Sequence, residues 1–109
     1  MTNDELALAP LNDLKREVER VGKLIPNSKF YLFGSAVTHP KACPDFDVLA
    51  VADTHEEQMR IFDEMHDVCS TWPIDLLVMS PAEEAECDFV QAQSCHPLFP
   101  TSVVTSHIP

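Results

Sequence analysis

Three short apolar runs, two of them headed by aspartate, constrain this chain more than any other feature. The first, 29–33, closes on Phe33-Gly34-Ser35. The second, 46–51, opens on Asp45-Phe46-Asp47, and the third, 74–79, opens on Ile74-Asp75. Apolar runs this short, bounded by Gly, Pro and Asp, read as strands. Residues 48–51 and 76–79 are apolar without alternation, the pattern of strands covered on both faces of a sheet.

Helical periods separate the strands. Leu11, Leu14, Val18, Val21 and Ile25 recur at steps of three and four, which predicts a helix over 11–25 with Pro10 in its first turn and Pro26 at its end. Its other face is charged and reads as solvated, with Glu19 and Lys23 paired at i,i+4. Met59, Phe62, Met65 or His66, and Cys69 share a helical face, predicting a helix over 55–70 that returns the chain to the sheet. Asp53 or Thr54 caps it, Glu56 and Glu57 suit its first turn, and His66 reads as a partly buried core histidine. Ser80-Pro81 marks the start of an acidic helix over 81–92. From Ser94 the chain reads as a tail, an edge segment or a partly disordered end, with a β-prone piece at 102–105. The predicted fold is one α/β domain over 1–109, a small mixed sheet of three to four strands with helices packed on it.

With 109 residues the chain supports one modest core. Seven Lys and Arg against eighteen Asp and Glu give a formal charge of −11, which argues against direct nucleic-acid binding through phosphate neutralisation. The acidic start lacks a signal-peptide pattern, and no run approaches the ~18 apolar residues of a membrane span. The four cysteines form no C-x-x-C pair and read as reduced thiols, so the expected location is the cytoplasm. Cys95-His96 lacks the further ligands zinc needs.

The candidate chemistry lies where the apolar runs end. Two residues apart on a strand, Asp45 and Asp47 point to one side, and Asp75 joins them if its strand is a neighbour. Carboxylates so crowded raise one another's pKa unless a cation such as Mg²⁺, which prefers oxygen ligands, offsets their charge. Gly34 lets the backbone approach a phosphate, and Ser35 adds a hydroxyl beside it. His39 and Lys41 in the following connection are either phosphate contacts or exposed loop residues.

Phe33-Gly34-Ser35, then Asp45-x-Asp47 starting eleven positions after the glycine, then a strand led by Asp75, resembles the nucleotidyltransferases of the DNA polymerase beta superfamily, above all their minimal single-domain members. The likeness covers 31–51 and extends to 72–84. It implies the nucleotidyltransferase fold and transfer of a nucleoside monophosphate from an NTP, usually ATP, to a hydroxyl of a protein or small molecule, with pyrophosphate released. It further implies two Mg²⁺ ions (or Mn²⁺) on Asp45 and Asp47, with Asp75 on one of them and aiding acceptor deprotonation. Gly34 and Ser35 would hold the triphosphate, with Lys41 as a substitute cation. Some minimal relatives are antitoxins partnered with HEPN-type toxins, which makes such a protein the implied partner. Relatives commonly carry arginines at the second and fourth positions after the glycine and a second glycine at the fifth, where this chain has Ala36, Thr38 and His39. The second functional reading follows from that departure: a catalytically degenerate binding module acting by contact. A domain this short has no evident acceptor-binding surface of its own, so a partner or a homodimer is expected to supply it.

Overall fold

A computed structural model describes residues 3–34, 37 and 45–100, with side chains from Ala9 onward. In chain order the elements are α1 (Asn3–Leu24), β1 (Lys29–Phe33), β2 (Phe46–Val51), α2 (His55–Thr71), β3 (Ile74–Met79), α3 (Pro81–Cys87), α4 (Phe89–Ala92) and β4 (His96–Phe99). The four strands form one mixed sheet in the order β3-β2-β1-β4. β1 runs antiparallel to both β2 and β4, and β2 runs parallel to β3. A parallel pair needs a crossover, and α2 supplies it.

Strand alternation sorts the side chains. Phe30, Leu32, Val48 and Ala50 face one side and pack with Leu14, Val18 and Val21 of α1 and with Ile61, Met65 and Val68 of α2. Each of these fully buried side chains contributes about 1.5–3 kcal/mol from apolar burial. Tyr31, Phe33, Asp47, Leu49 and Asp75 point to the opposite face. There Phe89 of α4 meets Phe33 edge-on at 5.0 Å, and Leu49 and Val51 are buried.

Several helices follow local chemistry closely. Thr54 and Ser80 both build capping boxes, their hydroxyls accepting from the backbone N–H of Glu57 and Glu83 while those glutamates reach back to the cap N–H. Arg20 clasps α1 to α2, donating to the Glu64 carboxylate at 3.0 Å and to the Glu64 carbonyl at 3.1 Å. The Trp72 indole N–H donates to Asp13 at 2.9 Å, joining the far end of α2 to α1.

The structure corrects four expectations. α1 starts at Asn3 with Pro10 inside it, because Glu5-Leu6-Ala7-Leu8-Ala9 favours helix strongly enough to carry through the proline. The face of α2 that packs is Ile61, Met65 and Val68, whereas Met59 is 48% and Phe62 44% exposed and His66 is exposed rather than partly buried. β3 is an edge strand with Leu77 exposed, so only β2 has both faces covered. The acidic helix over 81–92 breaks at Asp88, which adopts φ 52°, ψ 41° and turns Phe89 toward Phe33. The tail from Ser94 contributes the edge strand His96–Phe99, and residues 102–105 lie outside the described ones.

Gly22 marks where α1 comes closest to β4. A Cβ there would stand 2.4 Å from the Phe99 ring, so the helix settles on β4 only because that side chain is absent. Gly22→Val should cost about 1–3 kcal/mol by overpacking. Thermal unfolding should show a Tm lower by roughly 5–15 °C, and an unchanged Tm would mean that α1 does not rest on Phe99 as described.

Candidate active site

The site lies where β1 ends and β2 and β3 begin. Antiparallel register sets Phe33 beside Asp47, and parallel register sets Asp47 beside Asp75. Neighbours in register share a face, so the two carboxylates stand side by side on the face away from α1 and α2. Asp45 immediately precedes β2 and is exposed.

Gly34 follows β1 with φ +77°, a conformation that side chains disfavour. A Cβ built on it would lie 2.5 Å from Asp47 Oδ2. The glycine thus meets two demands at once, the left-handed turn and the close approach of the backbone to a carboxylate. The Val37 N–H donates to the Gly34 carbonyl at 3.2 Å, closing the turn. Ser35 and Lys41, the other candidate nucleotide contacts, lie outside the described residues, as do Ala36, Thr38 and His39.

Burial pushes the Asp47 carboxyl above its usual range, and the charges of Asp75 and then Asp45, with a side-chain hydrogen bond to Asp75, push it the same way. Asp75 and Asp45 therefore both act on Asp47. Among the described residues, no group of three or more His, Cys, Asp or Glu side chains is arranged to hold a metal ion. Asp47 and Asp75 are the in-register pair, and Asp45 acts on it through its charge. A donor set of carboxylates with one carboxyl raised by its neighbours' charge is chemically suited to a hard divalent cation, which reverses that repulsion.

A cavity of about 640 Å³ opens at the other end of the sheet, walled by Pro26, Lys29, Tyr31, Val51, Glu84 and Phe99. It touches none of Asp45, Asp47 and Asp75, and its charged groups among the described residues are Lys29, Asp53 and Glu84. Sequence reasoning missed Phe89 as a wall beside Phe33; Asp88 in left-handed geometry is its cause, and Asp tolerates that conformation better than most residues.

No protein-family model, curated protein or solved structure matches this chain. No helix among the described residues is long and apolar enough to cross a membrane.

Two outcomes test this geometry. Gly34→Ala should destabilise by about 1–3 kcal/mol from backbone strain plus the clash, and part of that loss should vanish in an Asp47→Ala background, where only the strain remains. Equal losses in both backgrounds, measured by chemical denaturation, would show that Gly34 does not press on Asp47. The raised Asp47 carboxyl binds its proton more tightly folded than unfolded. Its contribution to stability is therefore full below the ordinary carboxylate range and is lost as pH rises through the raised value. Asp47→Asn should accordingly raise Tm by a few degrees at neutral pH, and the gain should disappear at about pH 4. A variant less stable than the wild type at neutral pH would contradict this electrostatic account.

Proposed function

We propose that this chain is a metal-dependent nucleotidyltransferase that moves a nucleoside monophosphate, with AMP the leading candidate, from an NTP to a hydroxyl group and releases pyrophosphate. The observation that carries the reading is the Asp47–Asp75 pair held in register beside the Gly34 turn. The order and spacing of these residues, with Asp45, are what resemble the DNA polymerase beta superfamily.

Each residue then has a task. Asp45, Asp47 and Asp75 would hold Mg²⁺ or Mn²⁺, which when bound offsets phosphate charge and polarises the reacting oxygens. Gly34, whose lack of a side chain lets the end of β1 lie against the Asp47 carboxylate, would hold the phosphates by the same resemblance. Asp75, exposed on its strand, is placed to take the proton of an incoming hydroxyl. The hydroxyl oxygen bonds to the α-phosphorus as the bond to pyrophosphate breaks. Ser35 and Lys41 are the proposed triphosphate contacts. The chain's own charge of −11 makes cation binding a precondition for holding a nucleotide.

One observation favours a second reading. Ala36, Thr38 and His39 stand where the resembled family commonly has two arginines and a glycine, which removes charge from the triphosphate side. On that reading the domain is a degenerate transferase that binds a partner, such as a HEPN-type toxin, by contact.

A thermal-shift titration with ATP, GTP, CTP and UTP, with and without Mg²⁺, separates the two, because a ligand of the folded state alone raises its stability. The transferase reading expects a shift that needs nucleotide and metal together and is absent in Asp47→Asn. No shift with any nucleotide at about 100 times a micromolar Kd, where roughly 2.7 kcal/mol is expected, would leave the contact-binding reading.

A further inference from the structure

The two edges of the sheet are treated differently. β4 is four residues long, contains Pro97, and shifts register against β1 between Phe30 and Tyr31. A short strand, a proline and an irregularity are the devices that blunt an edge against unwanted pairing. β3, at the other edge, is six residues long and reads Ile-Asp-Leu-Leu-Val-Met, without proline, lysine or register break. Among the described residues no strand pairs with its outer side.

A groove of about 540 Å³ runs along that edge between α2 and β3. Phe62, Cys69, Ile74 and Leu76 give it apolar walls, and Asp63, His66 and Asp67 are exposed on its rim. Neither aspartate makes an ion pair among the described residues, whereas Arg16 and Arg20 are engaged with Asp13, Glu17 and Glu64. Met59 and Phe62, the apolar α2 residues left out of the core, extend the surface. Ile74 and Leu76, the β3 residues that line this groove, flank Asp75, which points to the other face.

We infer that the β3 edge docks the acceptor: an extended, basic segment of a partner protein that adds to the sheet as a further strand, with a Ser or Thr opposite Asp75. The inference rests on the transferase reading for its chemistry and on the edge and groove for its binding. Residues facing each other across a strand pair bring their Cβ atoms to about 5 Å, which puts a seryl oxygen within reach of the Asp75 carboxylate. Residues on either side of that serine point into the groove. A Lys or Arg there lays its stem on Phe62 and Leu76 and its charge against Asp63 and Asp67. The residue two along from the serine meets exposed Leu77 and is apolar. Backbone pairing supplies affinity and these alternate pockets supply specificity. The seryl oxygen bonds to the nucleotide's α-phosphorus, pyrophosphate departs, and the hydroxyl proton passes to Asp75. A second copy of the chain is a poor occupant, since its own −11 charge would set like acids across the seam.

The test uses the whole chain and a fluorescent peptide with the core Arg-Ser-Arg-Leu, by anisotropy without nucleotide or metal. Binding is expected, with backbone amide shifts centred on Ile74–Met79. It should weaken about tenfold in Asp63→Lys combined with Asp67→Asn, and similarly for a Glu-Ser-Glu-Leu peptide. Absent binding, indifference to either charge change, shifts elsewhere, or sedimentation as a dimer blocked by Leu77→Lys would overturn the assignment. A nucleotide thermal shift on the same samples keeps the two ideas apart. Peptide binding without a nucleotide shift sinks the transferase and leaves the docking edge, and the converse sinks the docking edge alone.

Discussion

The parallel pairing of β2 with β3 is the constraint on which the rest depends. It sets Asp47 against Asp75, because both strands start with an acid one residue in and the register is unshifted along their length. It also demands the crossover helix α2, whose Ile61, Met65 and Val68 complete the core and whose outward residues wall the groove beside β3. One pairing thus builds the acid pair, half of the core and the surface next to them.

That pairing works against an electrostatic cost. Burial, and then the charges of Asp75 and Asp45, raise the Asp47 carboxyl and weaken the folded state at neutral pH. The apolar cluster from Leu11 to Leu98 offsets the cost, and it sits on the opposite face of the sheet. Separation of the faces lets the acids remain near water while Phe46, between Asp45 and Asp47, and Val48 and Ala50, beyond them, are buried. A strand that alternates between core and chemistry cannot slip by one residue without losing both. The register is therefore held by packing, and the in-register acid pair follows from it.

The strands of the sheet were legible because they are short, apolar and punctuated: β1, β2 and β3 span the residues their sequence indicates. Both capping boxes were equally plain, since a hydroxyl and a glutamate three residues later act locally. The packed face of α2 was not legible. The expected stripe, Met59, Phe62, Met65 or His66, and Cys69, and the observed one, Ile61-Met65-Val68, share only Met65, and the position of the sheet chooses the second while Cys69 packs at its margin. The tail from Ser94 was read as an edge segment or a partly disordered end, and the bounds of β4 were not legible because Pro97 argues against a strand, an objection that an edge position relieves. In the candidate site, Gly34 and the aspartates were readable from spacing, whereas Phe89's place beside Phe33 depends on the left-handed turn at Asp88.

Local order in the sequence determined which residues become strands, where helices are capped and which acids stand at the strand starts, because these rest on interactions between near neighbours. The tertiary structure alone decided that β3 is an edge, that Gly34 presses on Asp47, and that Phe62 borders a groove instead of filling the core. Those outcomes depend on which distant surfaces meet, and the meeting is settled by the whole core at once.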